Sequence, residues 1–292
     1  MKCVNPIFLK DRNKLAGGIW VPCGKCVFCR KAISKEWGVR IVHELEYYKG
    51  NNVFFTLTYD DENLPENGSL CKRDVQLFLK RLRKAIYPEK IKYFYSGEYG
   101  DETLRPHYHF LLFGLDQNKK DLIEKCWEKG FIDKKLGYVC LRSANYCMKY
   151  LSKQTEEYKK FCKDNGLEIP FRDMSKGIGK RYALENKEIY TEGRVQTMNG
   201  RYIGMPKYYG RIIDIPEETK MRLQNESLLR RLEKLRDKLP EYLKKKYDLE
   251  IQTVSTRAKF YQLGLDMYKE VREHRKKEEE AKERIFTRKG KI

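Results

Sequence analysis

Hydrophobic and polar positions in the middle of the chain follow the periods of strands and helices. Residues 53–59 form an apolar run of β-branched and aromatic side chains, which predicts a strand. Residues 74–87 place apolar side chains at helical spacing with basic side chains between them, which predicts an amphipathic helix. Two aromatic-rich runs, residues 91–96 and 107–113, flank a polar turn and together predict a β-hairpin.

The same patterns extend beyond this region. They predict a helix over 30–49, a short helix over 121–128, a strand-like segment over 130–141 and a helix over 145–154. From residue 53 onward, the order strand, helix, strand, strand, helix, strand, helix is typical of an α+β fold. Such a fold has an antiparallel sheet of ferredoxin-like or RNA-recognition topology flanked by helices.

These elements divide the chain into four predicted parts. They are a cysteine-containing segment and helix over 1–50, a core over 51–155, a basic extension over 156–215 and a charged helical region over 216–292. The last part shows no sustained heptads, so we expect no coiled coil. Its final stretch, 270–292, has few apolar residues and is expected to be a solvated helix or tail.

Composition points to a polyanionic partner. Lys and Arg number 62 against 42 Asp and Glu, a formal charge of +20, which favours nucleic acid. Basic surface combined with aromatic rings suits single-stranded nucleic acid, although we expect most rings to lie in the core. Lys176, Lys180 and Arg181 are predicted to contact a DNA backbone, with solvated loops as the alternative. Arg105 is added to this predicted DNA-binding set.

The compartment is predicted from what the sequence lacks. It contains no run of about 18 apolar residues that could cross a membrane. The N-terminus also lacks the apolar stretch of a signal peptide. We therefore expect an intracellular protein with no membrane partner.

A candidate metal centre lies in the predicted hairpin. His107 and His109 are two residues apart on one strand, so they share a face and lie roughly 6–7 Å apart along it. Glu98 closes the neighbouring strand and supplies a carboxylate. Two imidazoles and a carboxylate on one face can bind one metal ion. The alternative is a pair of structural histidines.

Four cysteines near the N-terminus form a second candidate site. Cys23, Cys26 and Cys29 give two successive C-x-x-C spacings, and Cys3 lies upstream. Such thiolates can bind a structural Zn²⁺, with Cys3 as the fourth ligand. No second C-x-x-C pair at zinc-finger spacing follows, so reduced thiols remain the alternative. Nine cysteines are an odd number, which disfavours a disulfide framework.

The helix predicted over 145–154 carries candidate nucleophiles. Tyr146 and Tyr150 are four residues apart and share one helical face. Each is followed three residues later by a lysine, Lys149 or Lys153, that could stabilise a phenolate or a phosphate. A phenol has a pKa near 10 and needs such activation. The alternative is an aromatic pair packed on the core.

In the order and type of these motifs the chain resembles the HUH endonucleases, which combine a His-hydrophobic-His metal site with a tyrosine on a following helix. Within that superfamily it is similar to the replication initiation proteins of the Microviridae, and most to the gokushovirus branch. The resemblance covers about residues 20–210. The segments that carry it are Pro22-Cys23-Gly24-Lys25-Cys26 with Cys29, and residues 55–59, 97–100, 105–109, 146–153 and 171–179.

The resemblance implies a rolling-circle replication initiator in the cytoplasm of a bacterial host. Glu98, His107 and His109 would bind Mg²⁺ or Mn²⁺, and Tyr146 and Tyr150 would attack origin DNA to form a 5′-phosphotyrosyl link. No P-loop motif occurs, so a host helicase and DNA polymerase are expected partners. A non-catalytic single-stranded DNA-binding or packaging protein and an HUH transposase are the alternatives.

Overall fold

The structure is a computed structural model of the chain. It describes residues 3, 5–9, 19–133, 136–148, 155–192, 196–198, 201–253, 259, 262–267, 269–271, 273–274 and 277. The chain divides into two compact units. One comprises residues 30–214, and the other comprises residues 1–29 together with 215–292.

In the described residues, the strands are β1 (Ile7–Leu9), β2 (Ile19–Val21), β3 (Asn52–Tyr59), β4 (Lys92–Tyr99), β5 (Pro106–Phe113), β6 (Gly130–Ile132), β7 (Phe171–Met174), β8 (Gln196–Met198) and β9 (Arg201–Ile203). The α-helices are α1 (Val27–Leu45), α2 (Lys72–Ala85), α3 (Lys120–Trp127), α4 (Leu141–Cys147), α5 (Glu156–Asp164), α6 (Lys180–Glu185), α7 (Lys187–Thr191), α8 (Glu217–Arg236) and α9 (Glu241–Thr253).

The unit of residues 30–214 is built on an antiparallel sheet. Its strands lie in the order β6-β3-β5-β4-β7. The first four strands of that order, with α2 and α3 as connections, have the arrangement of a ferredoxin-like β-α-β-β-α-β unit. The predicted α+β fold is therefore confirmed. Strand β7 was not predicted, and it pairs with the outer edge of β4.

Alternation along the strands gives the sheet two buried faces. One face packs against α2 and α3 through large rings such as Phe55, Tyr108 and Phe110. The opposite face packs against α1 and α4 through Phe94 and Leu111. Because helices cover both faces, neither strand of the central hairpin shows the simple alternation of a half-exposed sheet.

Two predicted boundaries differ from the structure. The strand-like segment over 130–141 forms a strand only at Gly130–Ile132, and Gly137 then makes an isolated bridge to Phe54. The helix predicted over 145–154 begins earlier, at Leu141, as α4. The N–H of Cys140 donates to the Ser143 hydroxyl at 2.8 Å, which satisfies a donor at the start of that helix.

The helical character predicted for the C-terminal region is confirmed in α8 and α9. Their unit has a small apolar core of its own. Its buried members are Leu232, Leu239, Tyr247, Ile251, Leu263, Met267 and Val271. Among the described residues, no helix combines the length and the apolar character needed to cross a membrane.

Candidate active site

The sheet register brings one carboxylate and two imidazoles to the same face. β4 and β5 pair with Glu98 opposite His107 and with Ser96 opposite His109. Residues two apart on a strand share a face, so His109 also lies on the face of Glu98. The predicted grouping of the three residues is therefore present in the fold.

The three side chains converge closely. Glu98 Oε1 lies 2.9 Å from His109 Nε2 and 3.8 Å from His107 Nε2. One ligand atom from each residue lies within 4.8 Å of the other two. Glu98 and His109 are buried, whereas the side chain of His107 is 19% exposed. The cluster therefore opens to solvent on the side of His107.

Neighbouring polar groups orient both rings. His107 Nδ1 lies 3.1 Å from the Arg105 carbonyl oxygen, which can only accept a hydrogen bond. Nδ1 of His107 therefore carries the proton, and Nε2 presents a lone pair toward Glu98. His109 Nδ1 lies 3.0 Å from the Thr56 hydroxyl on β3. Contacts of this kind fix ring orientation in metal sites.

Burial lowers the pKa of the His109 imidazole, and the nearby Glu98 carboxylate opposes that shift. The neutral ring is the form that binds metal. Two lone pairs at 2.9 Å repel, so either a proton or a cation must lie between His109 Nε2 and Glu98 Oε1. Two imidazoles and a carboxylate oxygen form a donor set that fits a divalent cation such as Mn²⁺ or Mg²⁺.

Tyr146 of α4 lies at the edge of this cluster. Its ring centroid is 4.7 Å from that of His109 and 5.9 Å from that of Phe54, both in edge-on geometry. The neighbouring Ala144 and Cys147 are buried in the core, whereas Tyr146 is 48% exposed. Core packing of α4 therefore holds Tyr146 beside the imidazoles while leaving the residue accessible. The predicted Tyr150, Lys149 and Lys153 lie outside the described residues.

Three of the predicted DNA-binding residues lie around one cavity. Lys176, Lys180 and Arg181 line a cavity of about 400 Å³, and Lys92 at the start of β4 also lines it. Arg181 is paired with Glu185 at 2.8 Å, so its charge is partly compensated. Lys176 and Lys180 are exposed. The cavity is therefore a basic surface suited to a phosphate backbone.

Arg105 is engaged within the protein. Its Nε and Nη2 donate to the Tyr59 carbonyl oxygen at 3.1 and 2.9 Å, and Nη2 also contacts Asp61 at 2.7 Å. These contacts tie the turn before β5 to the end of β3. A contact of Arg105 with DNA stays a prediction.

The four N-terminal cysteines also lie together. One sulfur from each of Cys3, Cys23, Cys26 and Cys29 lies within 4.8 Å of the other three. Cys3 and Cys29 are buried. The structure therefore brings together both clusters that the sequence predicted as metal sites.

Sequence analysis missed the groups that support the first cluster. Thr56 contacts His109, and its backbone N–H donates to Asp133 Oδ2 at 2.8 Å. Cys147 is buried with its sulfur 3.8 Å from the His109 carbonyl oxygen. The only signal for Thr56 was its polar character within the otherwise apolar β3 run. Nothing local marked Asp133.

Comparison with known proteins assigns relatives to the chain. A family model for the replication-associated protein ORF2 matches residues 52–155, a range that contains Glu98, His107, His109 and Tyr146. The chain is 37% identical to replication-associated protein ORF2 of Spiroplasma virus 4, over 65% of this chain and 67% of that protein. It is 32% identical to replication-associated protein VP4 of Bdellovibrio phage phiMH2K, over 68% and 69%.

A third relative matches a shorter region. The chain is 36% identical to replication-associated protein ORF4 of Chlamydia phage 1 over 107 residues, 36% of this chain and 26% of that protein. No solved structure matches the chain significantly.

Proposed function

Because the chain belongs to the family of phage replication-associated proteins typified by ORF2, we propose that it nicks and rejoins single-stranded DNA to initiate rolling-circle replication. The family supports a role in replication initiation. The proposed chemistry depends on the candidate active site, and one observation carries it. Tyr146 stands half-exposed with its ring 4.7 Å from His109, beside the Glu98, His107 and His109 cluster.

The proposed reaction is a transesterification. The Tyr146 oxygen attacks the scissile phosphorus and forms a new P–O bond, and the bond from phosphorus to the 3′ oxygen breaks. The tyrosine loses a proton and the leaving 3′ oxygen gains one, so the step needs no oxidant or other co-reactant. The products are a 5′-phosphotyrosyl link and a free 3′-OH. The reverse step, with a new 3′-OH, rejoins the strand.

Glu98, His107 and His109 would hold a Mg²⁺ or Mn²⁺ ion. When bound, the ion supplies Lewis-acid polarisation of the scissile phosphate. The protein itself contributes the positions of the reacting groups. The contacts of His107 with Arg105 and of His109 with Thr56 fix the rings, and the buried face of α4 fixes Tyr146. Such positioning lowers the entropic part of the barrier.

The proposed DNA surface includes the cavity lined by Lys92, Lys176 and Lys180. Lys92 begins β4 and Glu98 lies six residues later, which is about 20 Å along an extended strand. A single strand that extends from the cluster along this sheet would reach the basic cavity. Duplex unwinding and synthesis are proposed to come from a host helicase and a host DNA polymerase.

The test uses the full chain, Mn²⁺ and single-stranded oligonucleotides tiling the phage genome that encodes it. Each oligonucleotide carries one dye at its 5′ end and another at its 3′ end. We expect the 3′ dye to migrate with the protein after boiling in detergent, and the 5′ dye to be released on a fragment with a free 3′-OH. The His107→Ala, His109→Ala double variant should form no adduct.

Other outcomes would contradict the proposal. DNA binding without any adduct in Mn²⁺ would favour a non-catalytic binding or packaging protein. Full adduct formation by the double histidine variant would remove the metal site from the reaction. Joining of the cleaved end to unrelated DNA in preference to the origin would favour a transposase.

A further inference from the structure

The four N-terminal cysteines come from two separate stretches of chain. Cys3 precedes β1, whereas Cys23, Cys26 and Cys29 follow β2 and extend into the first turn of α1. The short hairpin of β1 and β2 therefore lies between the two stretches. All four residues belong to the same compact unit.

The distances between the sulfur atoms match the edges of a tetrahedron around one ion. Cys23 Sγ lies 3.9 Å from Cys29 Sγ, and Cys26 Sγ lies 3.8 Å from Cys3 Sγ. Four sulfurs at about 2.3 Å from a central zinc would be about 3.8 Å apart. A disulfide would need about 2.05 Å, and none of the nine cysteines forms one.

Backbone amides support the sulfurs as they do in thiolate sites. The N–H of Cys23 donates to Cys3 Sγ, and the N–H of Cys26 donates to Cys23 Sγ, both at 3.3 Å. Hydrogen bonds from N–H groups stabilise the negative charge of a thiolate. Four thiolates gathered without a cation would instead repel one another.

We propose that Cys3, Cys23, Cys26 and Cys29 bind one structural Zn²⁺. Four protein ligands close the coordination sphere, so the ion has no open position for substrate and its role is structural. A tetrahedral set of four sulfurs selects zinc over Mg²⁺ or Mn²⁺, which prefer oxygen and nitrogen. This site is separate in sequence from the Glu98, His107 and His109 cluster, and it does not depend on the proposed nuclease activity.

The local fold explains why an ion is needed. β1 and β2 have three residues each, and Ile7, Phe8 and Leu9 are all exposed. An isolated two-stranded hairpin is marginally stable in water, and this one buries little apolar surface. Zinc would fasten the chain just before β1 to the chain just after β2. Metal binding then contributes directly to the folding of this segment.

An iron–sulfur cluster also uses cysteines, but it fits these distances less well. Cluster ligands are distributed over separate iron atoms, which places the sulfurs farther apart than ligands of a single ion. Here every sulfur lies within 4.8 Å of the others. The geometry therefore favours one ion at the centre of the four.

Metal content tests the proposal. The full chain, dialysed against a weak chelator, should contain about one zinc. The Cys23→Ser, Cys26→Ser double variant should lose at least nine-tenths of it. Cys71→Ser is the matched control, because Cys71 caps α2 outside the cluster. The His107→Ala, His109→Ala variant is the second control. Both controls should keep the zinc.

X-ray absorption on the zinc of the unmodified chain gives a result that no variant can confound by misfolding. We expect about four sulfur neighbours at about 2.3 Å. Nitrogen or oxygen neighbours, iron in place of zinc, or a folded chain without metal would each overturn the proposal. So would zinc that stays in the cysteine variant or leaves with the two histidines.

Discussion

The ring of Tyr146 meets the ring of His109 edge-on, with their centroids 4.7 Å apart. His109 comes from the central strand of the sheet and Tyr146 from α4, which follows the last strand of the ferredoxin-like unit. The contact therefore joins the candidate metal ligands to a candidate nucleophile across 37 positions of sequence. An edge-on pair leaves the phenol oxygen at the rim of the contact rather than beneath it.

The first prediction concerns the two tyrosines. Tyr146→Phe and Tyr150→Phe should each retain initial nicking of an oligonucleotide, because the remaining hydroxyl can attack. Each should fail at repeated release of circles, which needs two transesterifications. The double variant should do neither. The measurement counts adduct formation and circles released per protein.

Phenylalanine keeps the ring that packs on His109 and Phe54, so the change removes only the hydroxyl at Tyr146. Tyr138→Phe is the matched control, since Tyr138 is also exposed and lies just before α4. If one single variant loses all cleavage and the other completes many rounds, only one tyrosine is catalytic.

The second prediction concerns the metal ligands. Glu98→Gln keeps the shape of the side chain and removes its charge, so Mn²⁺ affinity should fall at least about tenfold. Thr56→Val should weaken Mn²⁺ binding by a smaller factor, because it removes only the hydroxyl that contacts His109 Nδ1. Titration calorimetry with Mn²⁺ measures both effects. Glu102→Gln, an exposed acid in the turn after β4, should change nothing; an equal loss of affinity in that control would reject the site.

The third prediction concerns the basic cavity. The Lys176→Ala, Lys180→Ala double variant should bind single-stranded DNA more weakly for every sequence tested. The slope of log affinity against log salt should fall by about 0.7 for each phosphate that the variant no longer neutralises. Lys80→Ala, Lys84→Ala removes the same charge from the exposed side of α2 and is the control. An equal change in both double variants would indicate only an effect of net charge.

Some of the site could be predicted because it depends on local periodicity. His107 and His109 share a face through the two-residue repeat of a strand, and Glu98 ends the neighbouring strand of the same hairpin. The hairpin pattern therefore specifies the register that brings them together. Tyr146 is positioned by the helix that follows the sheet, which the order of elements also indicates.

Other features depend on partners distant in sequence. The sequence of β7 includes Arg172 and Asp173 and has no strand pattern, so it becomes a strand only by pairing with β4. Asp133 reaches the Thr56 amide 77 residues away. The start of α4 depends on Cys140, which is not among the preferred N-cap residues. No local pattern marks such contacts.

The fourth prediction concerns a buried ion pair that joins α1 to the sheet. Glu44 is 1% exposed, its Oε1 contacts Lys92 Nζ at 2.7 Å, and its Oε2 accepts from the Gly179 N–H at 2.7 Å. Gly179 has φ +75°, and a Cβ there would overlap the Tyr209 hydroxyl, so the amide is held in place. Glu44→Gln should destabilise the chain by about 2–3 kcal/mol, because it leaves the Lys92 ammonium without its counter-ion.

Urea unfolding followed by tryptophan fluorescence measures this loss of stability. Glu46→Gln is the matched control on the same helix terminus, since the pair of Glu46 with Lys49 is exposed and longer, at 3.4 Å. An exposed pair contributes at most about 1 kcal/mol. Equal destabilisation by the two changes would show that burial of Glu44 adds nothing.

The last prediction is a pH dependence from His43. The residue is buried, its ring stacks on Tyr182 with centroids 3.8 Å apart, and its Nδ1 lies 3.0 Å from the Tyr209 hydroxyl. Burial lowers its pKa to about 4, against about 6.5 in an unfolded chain. Between these values the unfolded chain binds a proton that the folded chain does not, so folding stability falls as the pH falls.

At pH 4.5 this loss of stability amounts to about 2.5 kcal/mol relative to neutral pH. His43→Gln should be less stable than the unmodified chain at pH 7, because the stacked ring on Tyr182 is lost. The difference should shrink toward pH 4.5, since glutamine takes up no proton. Urea unfolding at both pH values measures it, and effects of the other histidines cancel in the comparison. A difference that is the same at pH 7 and pH 4.5 would mean that His43 is protonated equally in the folded and unfolded chains.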